Sequence, residues 1–143
     1  MKKLMTVSFL AIVFLLLLAV PSCGGKSEPS AFSDFEPPSK IKLWATLDNN
    51  PNSSPVTTLT SAQTTQASYW ASAIKEESIQ FKVNIYASEK DFVTWVSNVR
   101  IESSKPVLLG TMSNALKPGT YIFRAHSGGF GTVVGSMQIT VTP

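Results

Sequence analysis

Residues 78–87 alternate without a break. Ile79, Phe81, Val83 and Ile85 fall on one parity, and Gln80, Lys82, Asn84 and Tyr86 on the other. Successive strand side chains point to opposite faces, so this period of two predicts a strand with one face buried and one wet. The pattern recurs along the chain. In residues 41–47, Ile41, Leu43, Ala45 and Leu47 share a face. Residues 92–101 put Val93, Trp95, Val99 and Ile101 on one parity, with Val96 out of step. Residues 107–112 read as a short buried strand and residues 121–125 as another. In the last run, residues 133–141, Val133, Gly135, Met137, Ile139 and Val141 share a face.

Turn chemistry separates these runs. Asp48-Asn49-Asn50-Pro51-Asn52-Ser53-Ser54-Pro55 is a loop, because Asn and Asp bond to nearby backbone and Pro presets φ. Ser88-Glu89-Lys90-Asp91 is a charged turn, and Ser127-Gly128-Gly129-Phe130-Gly131 a glycine loop. Residues 56–68, rich in Thr, Ser and Gln, suit a strand or an extended loop. Residues 69–77 fit a helical turn and a strand end equally well. Strands every 8–12 residues with no long amphipathic helix point to an all-β chain, a β-sandwich or barrel, with a single antiparallel β-sandwich the expected fold. The chain holds 1 cysteine, so no internal disulfide reinforces it. Packing must do that work, through Trp44, Trp70, Trp95, Tyr69, Tyr86, Tyr121 and several Phe.

The N-terminus is of another kind. Lys2 and Lys3 precede an uncharged stretch from Leu4 to Val20, ended by Pro21. A cationic start, a short apolar core and then small residues form the pattern of an export signal. Val20-Pro21-Ser22-Cys23 resembles the bacterial lipobox: an aliphatic residue, a small residue before the cysteine, then Cys. Pro21 is a departure from the small residue commoner at its place. The resemblance implies cleavage before Cys23, a diacylglyceryl group on its sulfur and an acyl group on its new amine. These lipids would be the chain's only added groups, since no cofactor is called for. Two or three chains hold a domain on a membrane where one does not. Gly24, standing where Asp commonly marks inner-membrane retention, points to the outer membrane or cell surface. The expected organisation is a signal at 1–22, a lipidated Cys and flexible linker at 23–40, and a β-sandwich at 41–143. Within the linker, Gly24-Gly25, Pro29-Ser30 and Pro37-Pro38-Ser39 discourage regular structure. Phe32 and Phe35 mark the one place in it where a further strand would lie.

Charge excludes one class of partner. Of 12 Lys and Arg, Lys2 and Lys3 lie in the signal, leaving 10 against 9 acidic residues. A nearly neutral mature chain without a basic cluster gives no footprint for nucleic acid.

The segment Leu116-Lys117-Pro118-Gly119-Thr120-Tyr121-Ile122-Phe123-Arg124-Ala125, with the closing Gln138-Ile139-Thr140-Val141-Thr142, resembles the turn and last strands of immunoglobulin-like and fibronectin type III-like domains. The resemblance implies a tyrosine corner at Tyr121, its hydroxyl bonded back to nearby backbone. Trp95 and Trp70 both compete for the central core position.

Candidate chemistry is sparse. His126 is the only histidine, so neither a metal cluster nor a triad can be built around it. Asp48, Asn50 and Asn52 have the spacing of a calcium loop, but Ser53 and Leu59 stand where Gly and Glu belong, which favours a plain Asx turn. Tyr69-Trp70, beside a polar run, is the candidate sugar-stacking pair, with core packing as the competing role. Phe130, at the tip of a glycine loop, is the candidate partner contact. These residues indicate a non-enzymatic interaction or structural module. The alternatives are a carbohydrate-binding module, or an inhibitor or accessory domain of an envelope enzyme.

Overall fold

The computed structural model describes residues 39–88, 90–128 and 131–143. The segment read as an export signal, Cys23 and residues up to 38 lie outside them, as does Phe130. The alternating runs are strands: β1 (Ile41–Thr46), β2 (Thr58–Thr60), β3 (Ser68–Ala73), β4 (Ile79–Tyr86), β5 (Phe92–Ile101), β6 (Val107–Gly110), β7 (Gly119–Ser127) and β8 (Val133–Thr142). They form a three-stranded sheet in the order β1-β3-β6 and a five-stranded sheet in the order β2-β8-β7-β4-β5. Pairing is antiparallel throughout except for the three-residue β2, which runs parallel to β8.

The two sheets bury their facing sides against one another. Ile79, Phe81, Val83 and Ile85 of β4 enter the core as their parity predicts, opposite Ile41, Leu43 and Ala45 of β1 and Tyr69, Ala71 and Ala73 of β3. Tyr69 is the centre of an aromatic cluster. It stacks on Phe123 at 5.5 Å and meets Trp95 edge-on at 5.1 Å. The central position thus belongs to Tyr69; Trp95 is partly buried and packs against the core cluster, while Trp70 lies outside that cluster on the other side of β3.

Four local readings are corrected by tertiary context. Leu47 is exposed because β1 ends at Thr46. Residues 107–112 are not a buried strand: β6 is an edge, and Val107 and Leu108 are exposed. Val93 is 61% exposed because β5 is the other edge and its register slips against β4. In β8 the inward residue near the start is Val134, not Val133, because a bulge opposite Ala125 and His126 shifts the parity.

Gly135 has a specific task. A Cβ there would collide with the carbonyl oxygen of Ile41. Here the start of β1 lies against β8, with the Lys40 amide donating to the Val134 carbonyl at 2.9 Å. Only a residue without a side chain lets the two backbones come this close.

The end of the sandwich below β3 is locked by hydroxyls. Thr60 and Gln63 cap the 3-10 turn 62–65 reciprocally: the Thr60 amide donates to Gln63 Oε1 at 2.8 Å, and the Gln63 amide to Thr60 Oγ1 at 3.3 Å. Fully buried Thr64 donates to the Ser61 carbonyl at 2.6 Å and accepts from the Leu116 amide at 3.0 Å. The Tyr69 hydroxyl donates to the Thr64 carbonyl at 3.1 Å. Near the start of β7, the Tyr121 hydroxyl donates to the Lys117 carbonyl at 3.0 Å, the bond back to nearby backbone expected of it.

Candidate functional site

The polar side chains that cluster lie on the outward face of the five-stranded sheet. Outward parity on β4 and β7 places Asn84 beside Arg124, Tyr86 beside Ile122, and Lys82 beside His126. Tyr86 stacks on Phe92 of the neighbouring edge at 5.0 Å, and the Arg124 guanidinium lies over its ring at 5.0 Å.

A directional hydrogen-bond chain runs through this cluster. His126 Nδ1 lies 3.2 Å from the Gly131 carbonyl, which can only accept, so Nδ1 carries a proton. In the neutral ring Nε2 is then the acceptor, and the Tyr86 hydroxyl donates to it at 3.0 Å. The Asn84 amide in turn donates from Nδ2 to the Tyr86 oxygen at 3.4 Å. Asn84 Oδ1, at the head of the chain, is buried and has no hydrogen-bond partner among the described residues. The arrangement fixes the orientation of the Tyr86 hydroxyl and the His126 ring. Beside it, a depression of about 470 Å³ opens between Gln80, Lys82, Asn98 and His126. Asn98 sits there at φ 58, the left-handed conformation at a break in the β4–β5 register.

A second cleft is apolar. It has a volume of about 440 Å³ and lies between β1 and β8, lined by Leu43, Trp44, Val56, Met137 and Ile139.

The residues singled out in the sequence fall elsewhere. Tyr69 is 0% exposed, and burial pushes its phenol up from 10.0 to about 12. Trp70 is 7% exposed, pairs across the sheet with Trp44, and donates its indole N–H to Thr46 Oγ1 at 3.0 Å. The pair therefore forms no open stacking platform; adjacent strand residues point to opposite faces, and both faces are covered here. Asp48 and Asn50 spend their oxygens locally, on the Ser53 hydroxyl at 2.6 Å and the Asn52 amide at 3.0 Å. This is the Asx turn. Among the described residues no group of three or more His, Cys, Asp or Glu is placed to hold a metal ion. Phe130 and Cys23, the two other candidates, lie outside the described residues.

The outward cluster was missed by sequence reasoning. Its one local signal is the pair of patterns Asn84-x-Tyr86 and Arg124-x-His126, each on the parity that avoids the core. What joins them is the β4–β7 register, which neither segment carries alone.

Compared with protein-family models, curated proteins and solved structures, the chain matches none of them.

Proposed function

We propose that this chain is a lipid-anchored cell-envelope protein whose single immunoglobulin-like sandwich serves as a non-enzymatic interaction or structural module. The observation that carries the anchor is Cys23. It is the chain's single cysteine, and it stands directly behind Val20-Pro21-Ser22 at the end of an uncharged stretch that opens with Lys2 and Lys3. Ser39 follows 16 residues later, so at roughly 3.3 Å per extended residue the sandwich stands at most about 50 Å from its lipids.

The strand order supports the immunoglobulin-like reading. An A-B-E sheet against a sheet holding C′, C, F and G is reproduced by β1-β3-β6 and by β5-β4-β7-β8, with Tyr121 making the corner bond. Support for an interaction role comes from the open side of the sandwich. Phe92 and Val93 on β5, and Val107 and Leu108 on β6, expose large apolar side chains at its two edges. The carbohydrate alternative, resting on Tyr69 and Trp70, loses its platform because both residues are buried.

The test is metabolic labelling with a radioactive fatty acid in a bacterial host. Label is expected in the wild-type protein and absent from Cys23→Ala, with the variant released from the membrane fraction. Equal labelling of both overturns the anchor.

A further inference from the structure

The seam between β1 and β8 is stapled at both ends and open in the middle. At one end the Lys40 amide donates to the Val134 carbonyl at 2.9 Å. At the other, the Val56 amide donates to the Ala45 carbonyl at 2.9 Å and the Thr140 amide to the Thr57 carbonyl at 2.8 Å. Between these bonds lies the apolar cleft of about 440 Å³, where Leu43, Met137 and Ile139 of the core cluster reach the surface of the seam.

Backbone parity decides what else faces the cleft. In a paired strand, alternate residues turn their amide and carbonyl to the same edge. The Thr140 amide bonds away from β7, so Gln138, two residues earlier in the same unbroken register, turns its backbone to that side as well. The Ala45 carbonyl bonds away from β3, so Leu43 does likewise on β1. Among the described residues neither backbone has a partner on its cleft side. One strand from each sheet thus turns a donor and an acceptor into the same apolar cleft. Backbone groups at such a place are ordinarily paired, and a strand edge is ordinarily covered.

We propose that the cleft takes an extended peptide segment of a partner protein, added to the β8 edge in line with β2. The edge from Val134 to Thr140 is about 20 Å long, which admits about four or five extended residues. The segment bonds to the Gln138 backbone, and its alternate side chains enter the cleft against Leu43, Val56 and Met137. Charge sets the rest of its composition. Lys42 lines the cleft with its ammonium 5.4 Å from the centre of the Trp44 ring. No carboxylate among the described residues pairs with it, and no Asp or Glu lines the cleft. The segment therefore carries apolar residues at alternate positions and an Asp or Glu beside Lys42. An acyl chain would use the apolar lining and leave the backbone groups of Gln138 and Leu43 unmet. The proposal rests on the reading of the sandwich as an interaction module and names the class of its partner.

The probe is a library of acetylated, amidated hexapeptides that alternate apolar and polar residues and hold one Asp or Glu. The target is the full-length protein in phospholipid nanodiscs, with binding read by fluorescence anisotropy. Saturable binding is expected. N-methylating the peptide amides one at a time should weaken the best member at least about five-fold, at positions that are never adjacent. Lys42→Glu should weaken it about three-fold and favour the peptide whose acid is replaced by lysine. Val56→Trp, which fills the cleft, should abolish binding with the circular dichroism unchanged; if that variant loses its fold, the N-methyl series on the wild-type chain decides. The absence of saturable binding by any member overturns the proposal, as does affinity indifferent to N-methylation or binding that survives Val56→Trp. Decanoate binding where no peptide binds would give the cleft to an acyl chain, and a dimer dissolved by Val56→Trp would give it to a second copy. Either result also overturns the proposal. None of these readouts involves Cys23 or the exposed edges of β5 and β6, so failure here is distinct from failure of the anchored interaction module.

Discussion

Tyr69 makes the energetics of this core measurable. Its hydroxyl is sealed inside the sandwich, with one acceptor, the Thr64 carbonyl at 3.1 Å. Tyr69→Phe keeps the ring against Phe123 and Trp95 and removes only that bond, leaving the Thr64 carbonyl without this donor. The expected cost at pH 8 is about 1–2 kcal/mol. The second consequence comes from ionisation. Burial holds the folded pKa at about 12, against 10.0 for an exposed phenol. A folded pKa above the unfolded one favours the protonated form, so this contribution is complete below pH 10 and is lost as pH rises from 10 through 12. At about 1.4 kcal/mol per pKa unit, the wild type forfeits up to about 2.7 kcal/mol across that window, roughly half of it by pH 11. Phenylalanine has nothing to titrate. Urea denaturation of both proteins at pH 8, 9, 10 and 11 should therefore show the wild-type advantage shrinking by about 1–1.5 kcal/mol between pH 9 and 11. All other groups are common to the two chains, so the difference isolates Tyr69. A gap that stays constant over that range would refute the claim that Tyr69 is the buried phenol.

Two further outcomes follow from the geometry. Gly135→Ala drives a Cβ into the Ile41 carbonyl, a backbone atom that cannot swing aside, and should cost about 2–3 kcal/mol in a denaturation curve; an unchanged midpoint would mean that β1 does not come close to β8 there. Tyr121→Phe removes an exposed corner bond and should cost about 0.5–1.5 kcal/mol with the fold retained by circular dichroism, against a null expectation of no change.

The outward cluster illustrates how partners separated in sequence make a site. Asn84 and Tyr86 are 40 residues from Arg124 and His126, and each pair looks like ordinary wet-face polarity on its own strand. Pairing β4 with β7 in one particular register turns them into a single bonded chain from Asn84 to Gly131. A slip of one residue would send every member to the core side. Tyr69 and Trp70 show the reverse case. A Tyr-Trp pair beside polar residues suggested a surface, but β3 is the middle strand of its sheet, and all of its residues are buried.

The sequence by itself determined the class of fold and the sidedness of its central strand. Ile79, Phe81, Val83 and Ile85 point inward because a two-residue period is a property of the local backbone and needs no knowledge of neighbours. It likewise determined the turn at residues 48–55 and the corner at Tyr121, both made from bonds that span only a few residues. The tertiary structure alone decided which strands are edges, and so why Val93, Val107 and Leu108 are exposed while equally apolar Ile85 and Ile139 are buried. It alone put Tyr69 at the core centre with Trp95 packed against it and Trp70 outside, and required Gly135 where two backbones come close. The physical reason is the same in each case. Burial depends on what lies across the sheet and between the sheets, and those contacts join residues far apart in the chain, whose spacing no local pattern encodes.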